Sequence, residues 1–164
     1  MAWSRCVSTA RYGICWVTWG LRAGGVRVTK AERAAAERFA ERYRVAPAEV
    51  SRRVELAVIG GDWGANGYTT KQQADLLGRE LGLGPGVRLL DLGAGRGWPG
   101  LYLAAATGCQ VVLADVPIEA LRAAAARARR ELLAGRAAQV AASARALPFG
   151  RAVFDAIVHA DVLC

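Results

Sequence analysis

Metal-binding and disulfide chemistry are the first things this sequence is short of. Its one histidine, His159, has no partner histidine, and its four cysteines (Cys6, Cys15, Cys109 and Cys164) include no C-x-x-C pair. That pattern gives neither a zinc site nor a disulfide framework, so a reducing cytoplasm is the expected compartment. Long hydrophobic runs are missing too, since none approaches the roughly 18–20 residues needed to span a bilayer. No internal repeat or low-complexity tract appears beyond alanine enrichment. Acidic residues are absent before Glu32, so Arg5, Arg11, Arg22, Arg27 and Lys30 supply +5 of the formal net charge of +8. Elsewhere arginines alternate with glutamates, as in Glu37, Arg38, Glu41 and Arg42, which marks a solvated helix face. The basic balance is therefore a property of one end of the chain and a poor argument for nucleic acid.

What is present is an ordinary globular composition, 54% hydrophobic and 22% charged over 164 residues, enough for one domain. Residues 1–28 stand apart as a basic, tryptophan-bearing stretch with no sustained period of 2 or 3.6. Two readings stay open for it: a signal or transit peptide, or a poorly ordered extension, which its lack of a clear A-x-A cleavage site favours. From residue 29 to residue 82 the pattern is helical. Thr29 with Glu32 fits a capping box, Pro47 opens a second helix, and Thr69/Gln72 and Thr70/Gln73 are overlapping capping boxes for a third. Between the second and third lies a glycine-rich connector at 60–69, GGDWGANGYT. These helices are expected to cap a sheet formed by residues 83–164.

The sheet begins with the stretch on which the chain is organised. Residues 87–92 read as a buried strand, 93–97 as a glycine turn, and 98–107 as a helix with Pro99 in its first turn. A strand that runs through glycines into a helix is expected to aim unpaired N–H groups at one point, where an anionic ligand group can bind. Gly93 and Gly95 match the first two glycines of the dinucleotide fingerprint G-x-G-x-x-G, but its third position is Trp98. An indole where helix must pack closely on strand argues against NAD. The next strand, 111–115, ends in Asp115, about 20 residues past the turn, where nucleoside-binding folds place the acid that accepts from ribose hydroxyls. Asp115 could instead cap the helix opening at Pro117. That helix runs to about residue 133 before Gly135, and strands follow at 137–142 and 154–159. The strand–helix alternation predicts a parallel sheet with right-handed crossovers.

The run Asp91-Leu92-Gly93-Ala94-Gly95-Arg96-Gly97 resembles the first motif of class I S-adenosylmethionine (SAM) dependent methyltransferases. The turn Leu147-Pro148-Phe149 before the fourth strand resembles a later segment of the same family. The resemblance covers roughly residues 60–164. It implies a Rossmann-like α/β fold, here partial with about four strands, and SAM as cofactor. It also implies that Gly93 and Gly95 allow close approach of the methionine end, with Ala94 among the cofactor-binding residues, and that Asp91 bonds the ammonium group directly or through water. Asp115, with Val116 beside it, would hold the ribose, Ser143 and the N–H of Ala144 the adenine, and Tyr68 would cover the cofactor. The family usually has aspartate where Ser143 stands.

His159 and Asp161 follow the fourth strand on the side where acceptors sit; His159 is the candidate base and is also counted among the cofactor-binding residues that the resemblance implies. Residues 159–163 lack the [D/N]-P-P-[Y/F] signature of many adenine and amide-nitrogen methyltransferases, so a small-molecule acceptor is expected over nucleic acid. Residues 156–158 look buried on both faces. Because the chain ends at Cys164, where the family continues to seven strands, it is expected to be a truncated methyltransferase with weak cofactor binding and little turnover. A non-catalytic adenine-nucleoside-binding or interaction module is the alternative, and an NAD-dependent oxidoreductase a further one. Oligomeric state and the acceptor atom are not legible.

Overall fold

A computed structural model describes residues 7–8, 15–16, 30–44, 48–65 and 67–161. Three helices precede the main sheet: α1 (Lys30–Arg44), α2 (Glu49–Val58) and α3 (Lys71–Glu80). Thr70 caps α3 through the full capping box, its hydroxyl accepting from Gln73 N and the Gln73 side chain accepting from Thr70 N. Of the two overlapping boxes in the sequence, the second is used. The expected helix start at Pro47 falls outside the described residues, and α2 has Ala48 at its N-cap.

The sheet contains β1 (Val7–Ser8), β2 (Cys15–Trp16), β3 (Arg88–Leu92), β4 (Gln110–Asp115), β5 (Ala137–Ala141) and β6 (Ala156–Val158), in spatial order β1-β2-β5-β4-β3-β6. The four main strands are parallel, and Asp91 is aligned with Leu113 on one side and Val158 on the other. β1 runs antiparallel to β2, which touches β5 at Cys15 and Val140. Apart from these two strands, the expectation for residues 1–28 falls outside the described residues.

Helices α4 (Gly100–Thr107) and α5 (Ile118–Arg130) are the crossovers from β3 to β4 and from β4 to β5. Right-handed connections made twice in one direction put both on the same face. Leu101 and Leu103 of α4, Leu121, Ala124 and Ala128 of α5, and Leu89, Val111 and Leu113 of the strands accordingly form one buried cluster. The alanines let α5 lie close to the sheet. On the opposite face Ile157 is 56% exposed, so residues 156–158 are not buried on both faces as the sequence implied. Alternation along β6 puts Ala156 and Val158 inward and Ile157 outward.

Candidate functional site

The carboxyl ends of β3, β4, β5 and β6 lie side by side, and in open parallel sheets ligands bind beyond these ends. The structure brings Asp91, Gly93, Ala94, Gly95, Asp115, Val116, Ser143, Ala144 and His159 to this edge. Asp115 closes β4 opposite Ala141, and the ladder continues through Ala142 N donating to Asp115 O at 2.9 Å, which places Ser143 next. His159 is the residue after β6 and is exposed.

The glycine turn differs from its expected form. Gly93 N and Ala94 N both donate to Ala114 O, at 2.8 and 3.2 Å, and Gly97 N donates to Ala94 O at 2.7 Å. Gly95 N donates to Asp115 Oδ2 at 2.7 Å. These four donors are therefore consumed within the protein and do not converge on an anion. The cause is the fold-back of the turn over the end of β4, which supplies acceptors before a ligand does.

The acceptor side of the site is better developed. Each Asp115 oxygen takes one backbone N–H, Oδ2 from Gly95 and Oδ1 from Val116 at 2.7 Å. A carboxylate has about four acceptor positions, so capacity remains for a pair of hydroxyls. Burial raises the Asp115 pKa, and the two N–H bonds oppose that rise. Val116 alongside is half exposed and offers apolar surface. Ser143 Oγ accepts from Arg145 N at 3.2 Å in a local turn, and its hydroxyl hydrogen is not used in that bond.

Asp91 lies beneath the turn and not in it. Its side chain is 1% exposed, and Oδ2 accepts from Gly100 N at 2.9 Å at the start of α4. The sequence allows Asp91 to reach a ligand ammonium directly or through water; in this buried position its carboxylate is turned to the start of α4. Desolvation pushes its pKa up to about 8, the Gly100 N–H opposes this, and nearby Asp115 adds to it. Gly100 makes the arrangement possible, because a Cβ there would lie 2.5 Å from Asp91 Oδ2 and 2.8 Å from Leu113 Cδ2. Gly100 thus provides the close helix–strand approach assigned in the sequence to position 98. Trp98 turns away from the strand, stacks on Trp63 with ring centroids 4.2 Å apart, and meets Tyr102 at 5.4 Å. The steric argument against NAD drawn from Trp98 therefore fails.

The connector at 60–69 lies against the turn. Trp98 Nε1 donates to Thr69 O at 3.0 Å. Buried Glu55 accepts from Trp63 N at 2.7 Å and Ala65 N at 3.0 Å, and buried Arg127 donates to Trp63 O. Tyr68 is 81% exposed, so it is presented to solvent on an anchored loop. From the other side, α1 places the Tyr43 hydroxyl 2.9 Å from where a Cβ of Gly95 would sit, and the Arg96 guanidinium lies over the Tyr43 ring at 5.4 Å. Tyr43, Glu55 and Arg127 carry no motif, and only the fold brings them here; Thr69, read from the sequence as a helix cap, instead contributes its carbonyl to Trp98.

Comparison with known proteins agrees with this architecture. Residues 89–164 match a family model described as a methyltransferase domain. Over 79 residues the chain is 42% identical to uncharacterized proteins of Mycobacterium bovis and Mycobacterium tuberculosis. That stretch is 48% of this chain and 28% of the length of those relatives. Among solved structures, a geranyl diphosphate methyltransferase in complex with GPP and sinefungin superposes with a TM-score of 0.58 at 21% identity, over 77% of this chain and 55% of that one. The [4+2]-cyclase SpnF superposes with a TM-score of 0.50 at 29% identity, over 68% and 48%. The fold is Rossmann-like, with part of the family sheet. Over residues 89–164 the chain is similar to a methyltransferase domain.

Proposed function

We propose that the chain binds SAM at the carboxyl edge of β3, β4 and β5 and serves methyl transfer to a small-molecule acceptor in the cytoplasm. The observation that carries this reading is the position of Asp115. It is half-buried, tied to the turn through Gly95, keeps acceptor capacity on both oxygens, and has Ser143 just past the end of the neighbouring strand β5. Two hydroxyls on adjacent carbons of a ribose suit one carboxylate, and an adenine edge suits the hydroxyl of Ser143 and the N–H of Ala144. Val116 would lie against the flat base. Gly93 would let the ligand pass close to the backbone, because no Cβ projects there, whereas at Gly95 the Tyr43 hydroxyl faces that space and would meet the ligand together with Ala94. Asp91 is a positioning residue that holds the N-terminus of α4 under the turn, and Tyr68 would cover the ligand.

SAM, when bound, supplies a methyl group already activated by sulfonium charge, so the protein's contribution is orientation, proximity and exclusion of water. His159, beyond β6, is the residue we assign to accept a proton where the acceptor must lose one. The small-molecule class rests on the sequence after β6, His159-Ala160-Asp161, which lacks the prolines of adenine and amide-nitrogen methyltransferases. We read residues 83–164 as the cofactor core and 29–82 as its cap.

Titration calorimetry with S-adenosylhomocysteine, which keeps the nucleoside and amino-acid groups without the reactive methyl, tests this reading. Saturable binding is expected, with loss of roughly tenfold or more in Asp115→Ala, as for a buried hydrogen-bonding group removed from a ligand. NADH fluorescence under the same conditions is expected not to change. No binding to the folded protein would leave only the non-catalytic reading.

A further inference from the structure

We infer that residues 129–136, where α5 ends and the chain reverses into β5, form a docking tip for an anionic lipid surface. Leu132 is its apolar point, and Arg129, Arg130 and Arg136 are its charged collar. The tip lies at the amino ends of the strands, on the edge of the sheet opposite the candidate site, and is independent of the cofactor reading.

Single surface leucines are ordinary, but two features set Leu132 apart. Among the described large apolar side chains it is the most exposed, at 91%, and its φ of 59° is left-handed, which an L side chain adopts only at a cost. It therefore brings the folded state neither burial nor a relaxed backbone, where glycine would serve, as Gly82 does in the equivalent turn after α3. Such an outlier points to a position held for function. The turn is also fixed in place. Buried Leu133 donates its N–H to Ala128 O at 2.7 Å, Arg136 N donates to Leu133 O at 2.8 Å, and Val111 N of β4 donates to Arg136 O at 2.8 Å. Leu132 is thus presented on an ordered backbone, so little further ordering is needed on docking.

The charge around it has one sign. Arg129, Arg130 and Arg136 are exposed. Glu131, the one acid among residues 129–136, is ion-paired at 2.6 Å with Arg127, which is itself buried. The helix dipole accounts for arginines in the last turn of α5, but Arg136 lies outside the helix, and the dipole gives an exposed leucine no role. An apolar side chain ringed by arginines matches the headgroup region of an anionic bilayer, where guanidinium groups meet phosphates and the leucine reaches the acyl boundary. A nucleic-acid backbone would use the arginines and leave Leu132 in water. Docking by this tip leaves the carboxyl edge, with Asp115 and Ser143, turned away from the lipid.

The experiment is co-sedimentation of the full chain with vesicles of phosphatidylcholine alone and of an equal mixture of phosphatidylcholine and phosphatidylglycerol, at about 0.1 M salt. Wild type is expected to bind the anionic vesicles reversibly and the zwitterionic ones not at all. Leu132→Gly is expected to weaken that binding roughly five- to tenfold. Its Tm is expected at or above that of wild type, so the loss is not unfolding. Arg130→Gln/Arg136→Gln is expected to weaken binding roughly twentyfold, about fivefold for each charge. Arg38→Gln/Arg42→Gln removes the same charge from α1, whose Arg44 pairs with Glu119 at the other end of α5, and is expected to change binding by less than about threefold. Binding of wild type that Leu132→Gly leaves unchanged overturns the proposal, as does equal loss from the two arginine pairs. Failure to bind anionic vesicles, with a single-stranded oligonucleotide bound instead through Arg130 and Arg136, overturns it in favour of nucleic acid.

Discussion

Leu132→Gly is expected to stabilise this fold, although it removes a large apolar side chain. Helix α5 ends at Arg130, and the chain then reverses through a Schellman turn: Leu133 N donates to Ala128 O at 2.7 Å and Leu132 N to Arg129 O at 3.2 Å. The residue at the centre of such a turn must be left-handed, and Leu132 has φ of 59°. The same turn closes α3, where Leu83 N donates to Gly78 O and Gly82 N to Arg79 O, and there the left-handed residue is Gly82, with φ of 58°. Leu132 is 91% exposed, so its truncation gives up almost no buried surface. Relief of a left-handed non-glycine residue is worth roughly 1–2 kcal/mol, and the added freedom of glycine in the unfolded chain takes back about 0.5–1 kcal/mol. The net gain lies between about 0 and 1.5 kcal/mol and centres at about 0.75 kcal/mol, or roughly 2–3 °C in Tm for a chain of this size. Thermal and urea denaturation of Leu132→Gly measure it. The reciprocal variant Gly82→Ala, where a Cβ meets nothing within 4 Å, is expected to lose about 1 kcal/mol for backbone reasons alone. Destabilisation by Leu132→Gly together with a neutral Gly82→Ala would refute the reasoning.

Other predictions concern the floor and flank of the site. Because Asp91 is pushed from 3.8 up to about 8, the folded state holds more protons than the unfolded between those values. Its contribution to stability therefore falls as pH rises from about 4 to about 8. Asp91→Asn keeps an acceptor for Gly100 N–H and is expected to flatten that part of the Tm-against-pH curve; an unchanged slope would assign the effect to another group. Gly100→Ala is expected to lose roughly 1–3 kcal/mol in denaturant unfolding, because its Cβ has no room between Asp91 and Leu113. Glu55→Ala leaves Trp63 N and Ala65 N without their acceptor, so limited proteolysis within residues 60–69 is expected to speed up while the core at 88–141 resists.

Much of the architecture was legible because its signals are local. Thr70 and Gln73 announce the start of α3, Gly82 its end, and Gly108, left-handed at the C-cap, the end of α4. The apolar runs that became β3 and β4 were long enough to be read as buried strands. The end of α5 was misplaced by about three residues because the residue in the reversing turn is leucine, which carries no stop signal, and Gly135 lies further on. The site was legible as a set of strand-end residues, since Asp115 and Ser143 follow from the strand positions. Hydrogen-bond direction was not. Whether the turn's N–H groups face a ligand or the neighbouring strand depends on how the turn folds over Ala114, which no spacing encodes. For the same reason the sequence, which let Asp91 reach a ligand directly or through water, does not show that its carboxylate lies buried against the start of α4, and Trp98, read as a packing block, proved to be the anchor of a loop.

The most direct test of the account is an amide NMR titration of the chain with S-adenosylhomocysteine. The account predicts shifts concentrated at residues 93–97, 115–116, 143–144 and 67–69, with little change along the helical faces of α2 and α5. Absence of shifts, or shifts that cluster away from the carboxyl ends of β3, β4 and β5, would contradict it.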